Sequence, residues 1–587
     1  MPNHHQQTVP PRLAVSISGS GGTGAVTVGL ILLDAVAKAG FYGNMTRAFG
    51  PQIRGGESAV MLHFSDQPIE TLAEFSQLHL ALDWVKFDRF EDEIPLTADS
   101  LVIYENSREK PPGLVENSGA TLLGVDLQAI VKTIKGSRIN MVALGIVAQQ
   151  IGLARHFIEA ALQKTLGRKG SEVVETSMAA VDAGMALLTD TPLSGLANWQ
   201  PTHQPRWNMS GNEACGLGTL RGGLKFAAAY PITPATDIVE YLARPLVQMG
   251  GNLLIAEDEL AAMNMVIGAS FGGAPSMTAT SGPGLSLMIE AMGLAVAAEI
   301  PALVITVMRG GPSTGIPTKS EQSDLNQALY ALHGDAPHLV IAPLNIQESV
   351  NISQWALALS EALQTLVILV TDQHLGQTRM IMDPVDKLPL TLSRLQPKAD
   401  PTADTAVHYQ RYQITDSGIS PMSLPGMGSY QYAAEGLTHT ESGLPSSRVQ
   451  DHAQHLHKRS HKILQFDYGE LWAQRLPMAN AQHTVITWGS SFEAVKEAVK
   501  LLNHRGAAIS LIGLRLIMPL QAEALAALTQ HQKVLVIEQN DSAQLSHYLL
   551  AEKAIPLDSE AYAKPGPLLF KPSDLIRPIQ TWMEDRT

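Results

Sequence analysis

Side chains that could bind and polarise a ligand recur between residues 208 and 324, each at the end of a short apolar run. They lie in four motifs: Tyr230-Pro231-Ile232-Thr233-Pro234, Glu257-Asp258-Glu259, Thr280-Ser281-Gly282-Pro283-Gly284 and Arg309-Gly310-Gly311-Pro312. A carboxylate in an apolar setting can work as a tuned acid or base, and a guanidinium can clamp a second carboxylate through two hydrogen bonds. Ligands of open parallel sheets bind where strands end. The spacing therefore predicts one ligand site built from several strand ends.

Three of the four motifs also have a purely structural explanation. Acids are favoured in the first turn of any helix, so Glu257 and Glu259 could simply begin one. Arg309 could form a surface ion pair. The prolines at 231 and 234 could only fix a rigid turn, because proline restricts its own φ and extends the residue before it. A turn does not need a hydroxyl between two prolines, so Thr233 is predicted to make a polar contact with a ligand.

The elements upstream read as a strand, a glycine turn and a helix. Residues 13–17 are apolar, residues 19–24 hold four glycines, and residues 25–39 place Val28, Leu32 and Val36 on one helical face. This order begins many dinucleotide folds, but the acid expected about 20 residues later is missing, which disfavours NAD. A structural turn or an anion site at the helix N-terminus remain as explanations. Two arginines beside the glycines of residues 47–58 indicate either a phosphate-binding loop or a turn before the next strand.

Length, charge and cysteine content exclude several classes of protein. A chain of 587 residues indicates three or four domains. The formal net charge of −14 argues against non-specific nucleic-acid binding. The single cysteine, Cys215, excludes a disulfide framework and an all-cysteine iron–sulfur cluster within the chain. The longest apolar run is broken by Glu299 and Pro301 and the first residues are polar, so we expect no membrane span, no signal peptide and a cytoplasmic location.

The composition and hydrophobic pattern of the sequence change twice in the last third of the chain. Residues 376–465 are rich in proline, glycine, serine and histidine, and they are predicted to be irregular material with a functional or inter-subunit role. The five histidines there (His439, His452, His455, His457 and His461) match no tetrahedral metal spacing, so no metal site is predicted. Beyond them, apolar runs at 484–488, 507–511 and 533–538 alternate with helical patterns, which indicates a small α/β domain.

The four motifs, followed by Glu321-Gln322-Ser323-Asp324-Leu325, resemble in their order the 2-oxoacid:ferredoxin oxidoreductases. The resemblance is to an alpha subunit with a gamma domain fused at its N-terminus, and it covers nearly the whole chain. It implies a multidomain α/β fold. The implied parts are a Rossmann-like gamma domain (1–190), a linker (191–207), a pyrimidine-type thiamine diphosphate domain (208–375), the irregular segment (376–465) and a transketolase C-terminal-like domain (466–587).

The resemblance also implies roles for individual residues. Family members decarboxylate a 2-oxoacid on thiamine diphosphate, oxidise the product through iron–sulfur chemistry and transfer the acyl group to coenzyme A. By motif position, Glu259 is the catalytic carboxylate that hydrogen-bonds the aminopyrimidine and favours its reactive tautomer, with Glu257 as the second choice. Pro231 would line the pyrimidine, and Arg309 would lie against cofactor and substrate. Thr233 and Arg309 would bind the substrate carboxylate.

Half of such a site is missing from this sequence. No Gly-Asp-Gly motif for Mg²⁺ and diphosphate is present, and the cluster cysteines are absent. The resemblance places the Mg²⁺ and a [4Fe-4S] cluster on a beta subunit, in an α₂β₂ assembly that passes electrons to ferredoxin. The loop around Pro421 departs from the family, which commonly has arginine where this chain has Met422. The implied substrate is 2-oxoglutarate, with pyruvate or branched-chain 2-oxoacids as alternatives and an NAD-linked dehydrogenase as a distant one.

Overall fold

The structure is a computed structural model that describes residues 12–50, 56–189, 193, 195–202, 204–397 and 409–584. Residues 51–55 of the arginine- and glycine-containing segment 47–58 lie outside these residues. The chain divides into two compact units, Met1–Ser210 with Gln377–Pro384, and Gly211–Gly376 with Val385–Thr587. The second unit therefore contains both the central motifs and the C-terminal α/β segment. None of the described helices is long and apolar enough to cross a membrane.

The first unit is built on one mixed sheet with helices packed against it. Its early strands are β1 (Arg12–Gly19), β2 (Tyr42–Phe49), β3 (Ser58–Ser65), β4 (Leu78–Ala81), β5 (Leu101–Glu105), β6 (Thr121–Val125) and β7 (Trp207–Ser210). Its helices are α1 (Ala25–Lys38), α2 (Gly113–Glu116), α3 (Leu127–Thr133), α4 (Ile139–Ile151), α5 (Arg155–Leu166) and α6 (Ser171–Met185). The predicted face of α1 is buried, with Val28, Leu32 and Val36 fully inaccessible.

The central part of the chain alternates helices with strands, and all of these strands except the last pair in parallel with one another. It consists of α7 (Gly211–Arg221), β8 (Phe226–Ala229), α8 (Thr236–Leu242), α9 (Pro245–Gln248), β9 (Asn252–Ile255), α10 (Glu259–Phe271), β10 (Ser276–Thr280), α11 (Gly282–Leu287), α12 (Ile289–Ala297), β11 (Ala302–Met308), α13 (Leu325–Tyr330), β12 (Leu339–Ile341), α14 (Ile346–Leu363), β13 (Leu366–Asp372), α15 (Gln373–Gln377) and β14 (Arg379–Met382). Strands β11 and β13 are buried along their whole length. Their continuous apolar runs are typical of a parallel sheet covered on both faces.

The C-terminal part begins with a long helix and continues as a second α/β layer. Its elements are α16 (Val449–Leu464), β15 (Ala473–Leu476), β16 (His483–Trp488), α17 (Phe492–His504), β17 (Ile509–Leu514), β18 (Leu516–Met518), α18 (Ala522–Thr529), β19 (Lys533–Glu538), α19 (Gln544–Ala551), β20 (Glu560–Ala563) and α20 (Pro572–Glu584). The alternation predicted for this part is confirmed. Strand β18 leaves the C-terminal sheet and pairs antiparallel with β12 of the central sheet.

Three sheets result from these pairings. The first unit holds the order β6-β5-β4-β1-β3-β2-β14-β7, and the second unit holds β18-β12-β13-β11-β10-β8-β9 and β15-β17-β16-β19-β20. In the first sheet, β2 pairs antiparallel with β3 and is not a neighbour of β1. The parallel β1–α1–β2 pair of a dinucleotide-binding fold is therefore not formed. This finding disfavours the NAD alternative a second time.

The region from 376 to 465 is predicted to be irregular, but the structure contains a strand and a long helix within it. Strand β14 lies in it and joins the first sheet between β2 and β7, and α16 occupies its last quarter. Strand β7 likewise begins inside the expected linker and runs into the residues assigned to the central domain. Both strands have four residues, and their partners are distant in the chain, so local periodicity cannot reveal them. Helix α16 is rich in charged residues and histidine, which masked its helical pattern.

Candidate functional site

The four motifs meet at one edge of the central sheet. Strands β9, β8, β10 and β11 are consecutive neighbours and all run parallel. Their carboxyl ends therefore lie side by side, and each is followed by one of the four motifs. The four motifs thus lie side by side at one sheet edge, and their joint ligand site stays a prediction.

The structure separates the three consecutive acids that follow β9. Glu257 is exposed. Asp258 is the N-cap of α10, and its carboxylate accepts a hydrogen bond from the backbone N–H of Ala261 at 2.7 Å. Glu259, in the first turn of α10, is only 5% exposed. The ordinary helix-start explanation thus accounts for Asp258, whereas Glu259 is turned inward.

Glu259 rests on the glycine loop that follows β10. A Cβ added to Gly284 would lie 2.6 Å from Oε1 of Glu259 and would also collide with the hydroxyl of Thr280. No described residue donates a hydrogen bond to the Glu259 side chain. The carboxylate can therefore accept a hydrogen bond from a ligand or another chain at this edge of the sheet.

Arg309 follows β11 and turns back toward the proline motif. Its Nη1 donates to the carbonyl oxygen of Thr233 at 2.6 Å, and its Nε is buried without a hydrogen-bond partner among the described residues. Burial lowers the pKa of this guanidinium, and the negative charge of Asp324 acts in the opposite direction. The group therefore keeps unused donor capacity in a partly desolvated setting, which suits the binding of an anion.

Thr233 and Pro231 lie in the proline motif that follows β8, and the structure gives their contacts and exposure. Thr233 contacts Arg309 through its backbone carbonyl, and its hydroxyl, which is partly buried, has no partner among the described residues. Pro231 is exposed at the same edge. Three hydroxyls within or just after the neighbouring strands β10 and β11 are also buried and unpaired within the described part of the chain: those of Thr278, Ser281 and Thr306.

Sequence reasoning missed a second carboxyl group on the glycine loop. Asp324 lies so close to Gly282 that a Cβ there would be 2.5 Å from its Oδ2. Burial and the charge of Glu321 raise the pKa of Asp324 to about 6, while Arg309 acts to lower it. The Glu-Gln-Ser-Asp-Leu motif indicates only the family, because no local sequence pattern shows that Asp324 contacts Gly282.

The C-terminal sheet fixes the segment that carries Asp324. Gln322 is fully buried, and its Nε2 donates to the carbonyl of Trp488 at 3.0 Å. Its Oε1 accepts from the backbone N–H of Gln539 and from the hydroxyl of Ser491, both at 2.9 Å. These partners follow or end strands β16 and β19, so the ends of the C-terminal sheet hold the residues beside the site. The C-terminal domain therefore positions site residues in addition to any role in assembly.

Other sequence candidates have ordinary structural roles. Met422 is fully buried in the apolar core, so this position supplies no cation. His439 stacks on Tyr412, with 3.8 Å between ring centroids, and His455 packs on His439. Within the described residues, no group of three or more His, Cys, Asp or Glu side chains could hold a metal ion.

The first unit contains a separate cavity of about 1090 Å³. The turn Gly22–Gly24 and the N-terminus of α1 line it, together with three exposed cations, Lys135, Arg138 and Lys169. Asn140, 6% exposed, packs on Gly24, and its Oδ1 has no partner among the described residues. Free helix N–H groups and cations favour an anionic ligand over a purely structural turn, whereas the unpaired amide oxygen of Asn140 would need a donor group.

Family comparisons decide the identity of the chain. Residues 217–458 match the family model described as pyruvate flavodoxin/ferredoxin oxidoreductase, thiamine diphosphate-binding, and residues 14–187 match that of pyruvate ferredoxin/flavodoxin oxidoreductase. The alpha subunit of 2-oxoacid:ferredoxin oxidoreductase 2 of Aeropyrum pernix is 30% identical over 76% of this chain and 74% of its own length. This chain belongs to the 2-oxoacid:ferredoxin oxidoreductase alpha subunits.

Further relatives of this oxidoreductase family match at similar levels. The 2-oxoglutarate synthase subunit KorA of Methanocaldococcus jannaschii is 33% identical over 63% of this chain and 98% of its own length. A solved structure of 2-oxoglutarate:ferredoxin oxidoreductase from Magnetococcus marinus, with 2-oxoglutarate, coenzyme A and succinyl-CoA bound, superposes with a TM-score of 0.88. That structure is 31% identical and covers 98% of this chain and 100% of its own. The multidomain α/β fold expected from the resemblance is confirmed.

Proposed function

We propose that this alpha subunit, together with a beta subunit, converts 2-oxoglutarate and coenzyme A to succinyl-CoA and CO₂ with electrons passed to ferredoxin, or runs the reverse reductive carboxylation. The observation that carries the proposal is Glu259, a largely buried side chain whose carboxylate has no hydrogen-bond donor among the described residues, at the same sheet edge as Arg309. The similarity to the Magnetococcus marinus enzyme, which holds 2-oxoglutarate and coenzyme A, supports the choice of substrate. Pyruvate and branched-chain 2-oxoacids remain the alternatives for the same chemistry.

The side chains at the strand ends fit the aminopyrimidine half of thiamine diphosphate. When bound, this cofactor supplies the reactive carbon and the electron sink for decarboxylation. Glu259 would hydrogen-bond the ring and hold a proton there, because its side chain is largely buried and its carboxylate has no other donor among the described residues. Gly284 leaves room for that carboxylate, which any larger residue would displace. Pro231 would line the ring from the exposed edge, and Arg309 would lie beside it.

Thr233 and Arg309 would hold the substrate. The Nε of Arg309 and the hydroxyl of Thr233 have no hydrogen-bond partner among the described residues, so both can donate to a ligand. Together they provide a charged donor and a neutral donor for the carboxylate adjacent to the keto group. Fixing that carboxylate orients the bond that breaks, which lowers the entropic part of the barrier.

Replacing Arg309 by alanine in the assembled enzyme should raise the KM for the 2-oxoacid about 10- to 100-fold and lower kcat, because charge-assisted hydrogen bonds contribute roughly 1.5–3 kcal/mol each. The KM for coenzyme A should not change. Steady-state reduction of ferredoxin, with each substrate varied in turn, provides the measurement. Arg505→Ala, at an exposed site in the C-terminal domain, is the matched control. Unchanged 2-oxoacid kinetics in Arg309→Ala would remove this residue from the site.

Coenzyme A would bind its phosphates in the cavity of the first unit. The start of the turn that lines this cavity is anchored by Ser20, whose N–H and hydroxyl both donate to the carboxylate of Asp83, at 3.0 Å and 2.6 Å. The free N–H groups of α1 and the cations Lys135 and Arg138 can then face phosphate oxygens.

The double substitution Lys135→Ala with Arg138→Ala should raise the KM for coenzyme A about tenfold, as expected for the loss of roughly 1.4 kcal/mol of phosphate binding. The KM for the 2-oxoacid should stay unchanged, because that substrate binds in the second unit. Initial rates at varied coenzyme A concentration measure the effect. Lys132→Ala, an exposed lysine outside the cavity lining, is the control. An equal rise of both KM values would contradict this assignment.

The remaining half of the site belongs, in this proposal, to the beta subunit. That subunit would hold Mg²⁺, the diphosphate and the [4Fe-4S] cluster, since the described residues offer no metal-binding group and the sequence has one cysteine. Apolar side chains beside the site are exposed and suit a covering partner: Leu254 (47%), Ile255 (58%), Leu260 (49%) and Leu287 (51%). Leu254 and Ile255 belong to β9, the unpaired edge of the sheet. An α₂β₂ assembly in the cytoplasm, with ferredoxin docking on beta, completes the proposal.

Co-expression with the beta subunit under anaerobic conditions tests the function. Coenzyme A-dependent reduction of ferredoxin should be faster with 2-oxoglutarate than with pyruvate or a branched-chain 2-oxoacid. A preference for pyruvate would reassign the substrate and leave the chemistry intact. A colourless protein that reduces NAD without a partner would overturn the proposal.

A further inference from the structure

The buried face of helix α16 consists mainly of cationic side chains. The residues of this helix that the fold encloses are His455, Lys458, Arg459, Lys462 and Ile463. Arg411, on the loop before the helix, is fully inaccessible and joins the same cluster, because Arg411 and Lys458 both donate to the hydroxyl of Ser420, at 3.1 Å and 3.0 Å. Two buried arginines and two buried lysines therefore meet at this face.

One carboxylate faces these four cations within the described part of the chain. The two oxygens of Glu299 contact Nζ of Lys458 and Nζ of Lys462, at 2.6 Å and 2.8 Å. Arg411 donates to neutral oxygens, the hydroxyl of Ser420 and the backbone carbonyl of Glu299. Four positive charges against one negative charge leave an excess of three. Burial of uncompensated charge is strongly unfavourable, so this face needs a further counter-charge.

Arg459 is the cation of this face that has no partner among the described residues. It is 9% exposed, and none of those residues accepts a hydrogen bond from its guanidinium. Its Nε is enclosed and unpaired. Arginine cannot escape the cost of burial by losing its proton, as a buried lysine can. An unpaired guanidinium at this depth is a ready binding group for a small anion.

Two imidazoles beside Arg459 also have unused nitrogens. His455 precedes Arg459 by four residues on α16, which puts both side chains on one face, and the ring centroids of His455 and His439 are 4.8 Å apart. Nδ1 of His439 donates to the carbonyl of Leu437 at 2.9 Å, so Nε2 of that ring is an acceptor. This Nε2 and Nδ1 of His455 are enclosed and unpaired within the described residues. Burial lowers the pKa of both histidines, that of His455 to about 4, so both rings are neutral near pH 7.

We propose that the buried cationic face of α16 is a binding site for hydrogen phosphate. The phosphate oxygens would accept hydrogen bonds from Arg459 and offset the excess positive charge. The remaining O–H of the anion would donate to Nε2 of His439, which a neutral ring leaves free to accept. Sulfate has the same shape and carries no proton near neutral pH, so it lacks the donor that this nitrogen needs.

This site is separate from the reaction at the sheet edge. Glu299 precedes β11 and Arg309 follows it, and the seven residues of this strand span about 20 Å. The inference therefore does not depend on the proposed function. It adds a site whose occupation stabilises the contact of α16 with the segment that leads into β11.

Calorimetric titration of the assembled enzyme with inorganic phosphate tests the site. Coenzyme A and thiamine diphosphate are kept saturating, so that groups that bind their phosphates are already filled. Arg459→Gln should weaken phosphate binding by about 10- to 100-fold, as expected for the loss of a charge-assisted hydrogen bond. Arg448→Gln, at the exposed N-cap of the same helix, is the matched control and should bind as the wild type does.

The choice of anion is tested with sulfate in place of phosphate. Sulfate should bind the wild type about tenfold more weakly, because one hydrogen bond is not made. His439→Phe keeps an aromatic ring on Tyr412, against which the histidine stacks at 3.8 Å between centroids, and removes the acceptor. This variant should bind phosphate and sulfate with equal affinity.

Thermal unfolding gives a readout of opposite sign for the same arginine. In phosphate-free buffer, Arg459→Gln should have a Tm equal to or above that of the wild type, because the substitution removes an unpaired buried charge. Added phosphate should raise the Tm of the wild type and leave that of the variant unchanged. A variant that unfolds earlier than the wild type without phosphate, or that fails to assemble, would show that Arg459 has a structural partner and would contradict the site.

Two further results would overturn the inference. One is a wild-type enzyme that binds no phosphate with its other substrate and cofactor sites filled, which needs no variant. The other is phosphate binding of equal affinity in the wild type and Arg459→Gln. Equal binding of phosphate and sulfate by the wild type would overturn the assignment to hydrogen phosphate.

Discussion

Glutamine at position 259 should lower turnover of the assembled enzyme by about 10²- to 10⁴-fold, the range for removal of a positioned acid or base. Glutamine keeps the size of the side chain but cannot exchange a proton with the cofactor ring. The site around Gly284 is tight, so the isosteric change should leave the fold intact. Single-turnover decarboxylation with saturating thiamine diphosphate measures the chemical step directly.

Cofactor binding must be separated from chemistry in this experiment. Calorimetry of the cofactor-free complex should show that Glu259→Gln still binds thiamine diphosphate, with reduced affinity. Glu257→Gln is the matched control, because that acid is two residues away and exposed. If Glu257→Gln loses turnover and Glu259→Gln does not, the motif assignment has chosen the wrong acid.

The second large effect is expected on stability, at Glu299. Its side chain is fully inaccessible, and its two oxygens contact Nζ of Lys458 at 2.6 Å and Nζ of Lys462 at 2.8 Å. Arg411, also fully buried, donates to the Glu299 carbonyl at 2.7 Å. The cluster joins helix α16 and the long loop before it to the start of β11, the strand that ends at Arg309.

Substitution of Glu299 by glutamine should lower the free energy of unfolding by about 3–5 kcal/mol, because it leaves two buried lysines without a counter-charge. Chemical unfolding of the protein provides the value, and limited proteolysis should show earlier cleavage between residues 409 and 465. Glu290→Gln, an exposed acid on α12 nearby, should have no such effect. A decrease in the free energy of unfolding below about 1 kcal/mol, the contribution typical of exposed ion pairs, would contradict this prediction.

The pH dependence of this effect has a definite sign. Burial alone would raise the pKa of Glu299, but the charges of Lys462, Lys458 and Arg411 hold it well below its ordinary value. A carboxyl group with a depressed folded pKa stabilises the fold above its unfolded pKa and loses that contribution as the pH falls through the folded value. The difference between wild type and Glu299→Gln should therefore be constant near neutrality and shrink as the pH falls from the ordinary value of 4.5 toward the depressed folded pKa.

Replacement of the whole ionic group separates charge from packing. Substituting Glu299, Lys458 and Lys462 together by methionine removes the desolvation cost of all three charges. Apolar replacement of a buried ionic group is often neutral or stabilising. The triple variant should therefore be more stable than Glu299→Gln alone.

Much of the site could be predicted because its parts are local. A proline motif, a strand-end acid, a glycine loop and an arginine each follow a short apolar strand, and parallel topology then brings strand ends to one edge. Period and turn chemistry likewise predicted the N-terminal β–turn–α unit and the C-terminal alternation. Short strands such as Arg379–Met382 were not predictable, because four residues carry too little pattern and their partners are distant in the chain.

The sequence by itself determined the family, the α/β class and the four motifs that meet at the sheet edge. Only the tertiary structure decided which of the three acids after β9 is buried, since consecutive helix-start residues differ in direction and not in local propensity. It also decided that Asp324 lies on Gly282 and that Gln322 holds it there from the C-terminal sheet. Those contacts join residues that lie 42 to 217 positions apart in the sequence. Contacts at such separations are determined by tertiary packing and not by any local pattern in the chain.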